Sequence, residues 1–516
     1  MKDKQIDLHR VITVIISIVW MAFQTYIILG KPMNPMLQVP VHLVFALAII
    51  YLYNPIDKKN EKLRKLKFLD YIFYAGILFL AYYYICETVR LQSRVPYFSA
   101  LETIDIVAFF VLCIVLLEAI LRTLGWNLII FIAIFVLYAL FGQYLPRSSG
   151  LRSTSIRPLE FVELISMSSG GILGTPLTTS ATYLFYFMIF GALFSTCGGG
   201  QLLIEIGLKF GKGHGGPAKA AVISSGLLGM VSGSAVGNVS TTGVMTIPMM
   251  KKTGYKGEFA GAVEAAASTG GQIMPPVMGA AAFIMTEYIG CSYGTIALAA
   301  CIPALLYFTG IFTNVHFEAL KRGLLGLPKE QRPVAKQLIK DGWYMILPVI
   351  VIVALLCTGS SAMKAAIWGI ISCLFIWIIN IVREEKKFDA AKFAKMFVQG
   401  LADSAQSAIS VAITCGCAGI IVGVVTMTGL GLKMANGLVA MAGGSLWLTM
   451  IFTMLCSIVL GMGVPTTANY IIQATISAPA LVALGVPKLA AHMFVFYFGI
   501  VADITPPVAL AAFAGS

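Results

Sequence analysis

Of 516 residues, 58% are hydrophobic and 11% charged, which excludes an ordinary soluble protein. Apolar runs of roughly 17 to 25 residues recur without strand-like alternation, so helices rather than a barrel cross the bilayer. The net charge of +13 does not point to nucleic acid, because Lys and Arg lie in short loops between apolar runs, where topology signals belong. The expected class is an all-α polytopic membrane protein with the lipid bilayer as its solvent. Ten Cys are scattered without a CxxC pair and are expected to be small core residues.

Val11 to Gly30 and Val39 to Tyr53 form a first helical pair, followed by Lys58, Lys59, Lys62, Arg64, Lys65 and Lys67. The positive-inside rule places that loop and the amino terminus in the cytoplasm. Leu69 to Cys86 and Ile104 to Leu121 complete a four-helix unit, residues 1–123, in which Glu118 and Arg122 are spaced to pair. Trp126 to Leu145 crosses outward to a segment holding Arg147, Arg152 and Arg157, against the rule. Leu159 to Ser169 and Gln201 to Lys212 are expected as amphipathic arms, and Thr179 to Leu193 as the returning span.

Lys209, Lys212 and Lys219 precede Ala220 to Met250, and Lys251, Lys252 and Lys256 follow it. Both ends therefore belong on the cytoplasmic side, which a single crossing cannot satisfy. A re-entrant hairpin with its tip at Ser232 to Asn238 can. Glu258 to Tyr288 is a helix broken at Ser268 to Pro276, where Gly270, Gly271, Pro275 and Pro276 weaken or remove helical hydrogen bonds. Thr295 to Phe312 returns to a basic loop, Lys321 to Lys340, closing a region of residues 124–341.

Trp343 to Cys357, Ala365 to Ile381 and Ala405 to Met427 follow in residues 342–516. Leu446 to Leu484 is a second hairpin with its tip at Gly461 to Asn469, and Ala490 to Phe513 a second broken helix. Gly254 and Gly485 stand the same distance before their Pro-Pro pairs, an offset of 231 residues between the copies. Direct similarity with opposed orientation marks inverted-topology repeats, whose sites lie near the midplane.

Half-helix N-termini offer N–H groups to an anion, and C-termini and hydroxyls offer oxygen to a hard cation. Candidate substrate contacts are Ser234, Asn238, Thr242, Gln272, Thr467 and Asn469. Ser240, Thr241 and Ser268 add oxygens nearby; close helix packing is the alternative use of such small residues. Glu264 is either a proton carrier or a brace for the broken helix. Enzyme signals fail: GCSYG at Gly290 to Gly294 lacks the strand-turn-helix of a nucleophile elbow, the five His form no metal spacing, and GKGHGG lacks the Walker pattern.

Gly229 to Tyr255 (GMVSGSAVGNVSTTGVMTIPMMKKTGY), Glu258 to Phe283 (EFAGAVEAAASTGGQIMPPVMGAAAF), Gly461 to Gly499 and Ile504 to Ala514 (ITPPVALAAFA) resemble the large membrane subunit of tripartite ATP-independent periplasmic (TRAP) transporters. The nearest likeness is to the type fused to its small subunit and served by TAXI-class binding proteins. It extends from Met1 to about Leu121 for the small subunit and from Trp126 onward for the large one.

The resemblance implies an elevator-type secondary transporter in a bacterial inner membrane. It implies import of a small carboxylate delivered by a periplasmic TAXI-type binding protein, driven by Na⁺ or H⁺. Cation positions carried over are Ser232, Gly233, Thr269 and Gly270, with Ser234 beside them, and Gly463, Thr466, Asp503 and Thr505, with Thr467 beside them. Similar subunits continue beyond the second Pro-Pro helix, so a truncated second half is expected here. A binding-protein-independent ion-coupled exchanger or symporter of the wider fold is the alternative.

Overall fold

The computed structural model describes residues 8–29, 33–56, 68–326, 342–386, 389–506 and 508–516. Among them there is no strand, and eight helices are long and apolar enough to cross a membrane. The chain is an all-α polytopic membrane protein. Pro507, the basic run Lys58 to Lys67 and most of the Lys321 to Lys340 loop lie outside the described residues, so the orientation drawn from those charges stays an expectation. The chain folds as two compact units: Met1–Phe185 with Ala394–Gly443, and Tyr186–Phe393 with Gly444–Ser516.

The first unit begins with α1 (Leu8–Leu29), α2 (Pro35–Tyr53), α3 (Phe68–Cys86), a short α4 (Thr88–Ser93) and α5 (Thr103–Thr123). Asn34 starts α2 by accepting the Met36 N–H at 2.9 Å, with Pro35 in the first turn, where a missing N–H costs nothing. The expected Glu118–Arg122 pair is present at 2.9 Å, and Arg122 also reaches Asp70 at 2.6 Å with its guanidinium 4.5 Å from the Tyr51 ring centre. Arg90 and the Tyr83 hydroxyl both bond Asp105, at 2.6 and 2.7 Å. These contacts tie α2, α3, α4 and α5 together with charges that are paired rather than left bare in an apolar interior.

Next come α6 (Trp126–Phe141), α7 (Pro158–Met167) and α8 (Thr175–Thr196), of which residues up to Phe185 belong to this unit. The segment expected as an amphipathic arm is instead packed: α7 buries Phe161, Val162, Leu164, Ile165 and Met167. Gly171 folds back so closely that a Cβ there would lie 2.3 Å from Leu164 O. Later in the chain, α17 (Ala390–Thr428), from Ala394 onward, and α18 (Leu430–Met441) return to this unit.

The second unit holds the hairpins and broken helices. It runs from the rest of α8 through α9 (Gly199–Lys209), α10 (Gly216–Ser232), α11 (Ala235–Lys252), α12 (Gly257–Gly271), α13 (Ala280–Ile289), α14 (Tyr293–Arg322), α15 (Leu347–Cys357) and α16 (Ala362–Glu385). It resumes with α19 (Leu446–Gly461), α20 (Thr466–Ile476), α21 (Ala478–Ala483), α22 (Lys488–Val501) and α23 (Leu510–Ala514). The second expected arm, α9, packs on α10, where Gly207 lies so near Ser224 that a Cβ would sit 2.0 Å from its Oγ.

Candidate functional site

Both hairpins form where glycine permits the reversal. Gly233, at φ +66°, ends α10, and Ser234 then caps α11 by accepting the Gly237 N–H at 3.2 Å. Gly463, at φ +75°, turns the second tip ahead of α20. The arms of the first hairpin are full helices of 17 and 18 residues, because the helix persists to the residue before the turn. The first broken helix likewise continues past Ser268 to Gly271 before opening over residues 272–279, and the second opens after Val501 through a short 3-10 turn, Ala502–Ile504.

Each hairpin is pressed onto its own broken helix at a glycine contact. A Cβ on Gly229 would fall 2.9 Å from Gly271 Cα, and one on Gly461 would fall 2.6 Å from Ala502 Cβ. Above the first contact, Gly233 faces Met278 O and Gly279, and the Gln272 Oε1 also lies against Gly279. The tip residues Ser232 and Gly233 and the break residue Gln272 thus converge, while Thr269 sits one turn earlier on α12. Gly270 admits the Tyr307 ring, which a Cβ would meet at 2.4 Å.

Below the first tip lies a polar core. Asn238 Nδ2 donates to Ser225 O at 2.8 Å, Ser225 Oγ at 2.9 Å and Ser268 Oγ at 3.0 Å. Glu264, fully buried, accepts at Oε1 from Ser225 (2.8 Å), Thr242 and Ser268 (3.3 Å), and at Oε2 from Thr246 (2.6 Å). Ser240 and Thr241, by contrast, point to the exposed side and bond back to Val236 O and Gly237 O. Helical phase separates the two sets: positions 238, 242 and 246 share the face toward α12.

The second core has the same plan. Asn469 Nδ2 donates to Gly499 O at 2.8 Å, and Gln473 sits between Ser457, Ser477 and Asn469. Asn238 and Asn469, and their partners Ser268 and Gly499, all stand at the 231-residue offset. Gln272 and Asp503, themselves equivalent positions, meet directly, the amide donating to Asp503 Oδ2 at 3.2 Å. The two copies thus touch at a pair of residues that stand at the 231-residue offset.

Among the described residues, several buried oxygens of the first copy have no hydrogen-bond partner: Ser232 Oγ, Asn238 Oδ1, Thr269 Oγ1 and Gln272 Oε1. Buried polar atoms are rarely left so, and oxygens in this state suit a bound cation or donor. In the second copy Thr466 opens α20, Thr467 and Asn469 are buried on it, and Thr505 bonds Val501 O at 2.8 Å. Among the described residues, Thr466, Thr467 and Thr505 make no side-chain hydrogen bond to Asp503. Gly-rich motifs drew attention to the tips, whereas Ser225, Thr246, Ser457, Gln473 and Ser477 sit in ordinary helical sequence and were missed. The offset could have found some of them, since Thr242 with Gln473 and Thr246 with Ser477 are polar in both copies.

The GCSYG motif has a structural use: Ser292 caps α14, accepting the Thr295 N–H at 3.3 Å.

Residues 111–516 match the family described as tripartite ATP-independent periplasmic transporter, DctM component. Similar proteins include the sialic acid TRAP transporter large permease protein SiaM of Vibrio cholerae, 27% identical over 197 residues, which are 37% of this chain and 45% of that protein. The isethionate TRAP transporter permease protein DctMQ of Oleidesulfovibrio alaskensis is 22% identical over 308 residues, 58% of this chain and 46% of its own length. The C4-dicarboxylate TRAP transporter large permease protein DctM of Vibrio cholerae is 28% identical over 175 residues, 32% and 37% respectively. The chain thus spans less than half the length of these curated relatives.

Proposed function

Since this chain belongs to the DctM-component family of TRAP transporters, a family of transport proteins rather than enzymes, we propose that it is the membrane component of a cation symporter importing a small organic acid across a bacterial inner membrane. The observation that carries the cation part is the set of partnerless buried oxygens on Ser232, Thr269 and Gln272, with the Asp503 carboxylate bonded to Gln272. Hydroxyl, amide and carboxylate oxygen is the donor chemistry of a hard monovalent cation such as Na⁺. H⁺ is the other candidate driver. Gly463, Thr466 and Thr505 are assigned to the cation in the second copy by the resemblance.

The substrate is a carboxylate on this reading. The N-terminal ends of α11 and α20 lie at the two tips and turn their first-turn N–H groups toward an anion, beside Ser234 and Thr467, while Asn238 and Thr242 lie deeper on α11 in the core around Ser225 and Glu264. Relatives named for sialic acid and C4-dicarboxylates agree in charge class. A periplasmic binding protein, of TAXI type by resemblance, delivers the substrate.

Uptake into proteoliposomes, with a Na⁺ or an H⁺ gradient imposed separately and with or without the binding protein, tests the proposal. Uptake that follows one gradient and requires the binding protein is expected. Uptake that persists without the binding protein supports the exchanger or symporter alternative, and accumulation indifferent to both gradients defeats the symport reading.

A further inference from the structure

The two copies carry different acceptors at the centre of their polar cores. In the first, the central acceptor is a carboxyl group, Glu264, contributed by α12 and held by four hydroxyls. In the second, an amide contributed by α20 fills that role. Gln473 Oε1 accepts from Ser457 Oγ at 3.2 Å and Ser477 Oγ at 2.5 Å, and its Nε2 donates to Asn469 Oδ1 at 3.3 Å and Ser457 O at 3.4 Å. Around these centres the framework is shared: each Asn bridges its hairpin to the equivalent position of its broken helix.

The hydroxyls around Glu264 can serve either protonation state. Each carries one proton and has two acceptors in reach. Thr246 Oγ1 lies 2.6 Å from Glu264 Oε2 and 3.0 Å from Thr242 O, and Thr242 Oγ1 lies against Glu264 Oε1 and 2.8 Å from Asn238 O. With the carboxylate ionised, both threonines donate to it. With the carboxyl protonated, Thr246 turns its hydrogen to Thr242 O and accepts the acid proton. In neither state is a threonine hydroxyl or a Glu264 oxygen left without a partner, so the cage tolerates the exchange without moving a backbone.

The surrounding ionisable groups have other engagements. Lys219 of α10 is 3.1 Å from His316 of α14 and lies over the Phe312 ring; Tyr307 of α14 donates to Ala266 O; Asp503 accepts from Gln272. Lys251 and Lys252 of α11, Glu258 of α12, Glu318, Lys321 and Arg322 of α14, and Lys488, His492 and Tyr497 of α22 make no hydrogen bond or ion pair with Glu264 among the described residues. Among the described residues no Lys, Arg or His is bonded to the carboxyl group, so a proton can neutralise it without breaking an ion pair.

We propose that Glu264 and its hydroxyl shell form a proton-binding site present in the first copy alone, the second copy carrying the Gln473 amide as its permanently neutral counterpart. At the 231-residue offset Gln473 corresponds to Thr242 and Val495 to Glu264, so the second core has no carboxyl group at the corresponding position and the first has one protonation step more. The proposal rests on the transport reading only for the use made of the proton, not for its binding.

The test is acid-minus-alkaline infrared difference spectroscopy of the purified full chain. Beside the carbonyl band that the other carboxyl groups give at acid pH, a separate band of a buried carboxylic acid is expected, absent in Glu264→Gln, retained at a shifted frequency in Glu264→Asp, and retained in Asp503→Asn. Size-exclusion profiles identify any variant that fails to assemble, and Glu264→Asp keeps the test open if Glu264→Gln does fail. A band that survives Glu264→Gln, or one that vanishes instead in Asp503→Asn, overturns the assignment. Failure of gradient-driven uptake with the band present would strike the transport reading and leave the proton site standing.

Discussion

Asp503 is a buried carboxylate whose one side-chain partner among the described residues is the Gln272 amide, its repeat-equivalent residue. Replacing its charge by an amide should cost a cation the strongest ligand beside Gln272. Asp503→Asn is therefore expected to lower cation-driven uptake at least about tenfold, roughly 1.4 kcal/mol of coupling, with membrane assembly intact; wild-type uptake in proteoliposomes would refute it. Thr466 is a smaller case of the same kind. At the opening of α20 its hydroxyl is half-buried and available to an ion, so Thr466→Val should weaken the dependence of uptake on cation concentration more than it lowers the yield of folded protein. An unchanged cation titration would remove Thr466 from the site.

Between elements, the decisive quantity is how closely a hairpin lies on its broken helix. Gly229 meets Gly271 backbone to backbone, and Gly461 meets Asn469 and Ala502, where a Cβ would fall 2.2 Å from the Asn469 amide nitrogen. Small residues at such crossings let the backbones approach, as membrane helices commonly require. Gly461→Ala should separate α19 from α22, strain the Asn469–Gly499 bond at 2.8 Å, and cost about 1–3 kcal/mol. Thermal unfolding in detergent checks this, and a melting temperature equal to the parent's would show that the contact yields freely. Gly229→Ala should behave alike in the first copy, through its approach to Gly271.

On the scale of the molecule, every candidate site residue belongs to the second unit, while the buried Asp70–Arg122 pair belongs to the first. We propose that the second unit carries substrate and ion as one body. Stability and ligand response should then separate. Asp70→Asn leaves Arg122 with reduced compensation in an apolar interior and is expected to destabilise the protein by about 3 kcal/mol. It should nevertheless keep whatever thermal stabilisation added Na⁺ confers on the parent, whereas Asp503→Asn should lose it. A Na⁺-dependent shift lost equally in both variants would mean that the units do not divide the labour in this way.

Much of this was legible in the residues. Apolar runs announced the spanning helices because a bilayer demands an uninterrupted apolar stretch of a set length. Gly, Ser and Pro clusters announced the tips and breaks because they are where a helix cannot continue. The 231-residue offset announced the duplication. Sequence did not show that Leu159 to Ser169 is packed rather than laid out as an arm, since an amphipathic period describes a buried helix as well as an interfacial one. Nor could it show that Ser225, Thr246 and Ser268 close around Glu264, or that Gln473 occupies the corresponding centre in the other copy. Glu264 meets Thr246 and Ser225, 18 and 39 positions away, through the phase and crossing of three helices, and the Gln272–Asp503 contact joins residues 231 apart. Local chemistry specifies where a helix starts and stops; which faces meet follows from packing, and the two cores exist only after that packing is complete.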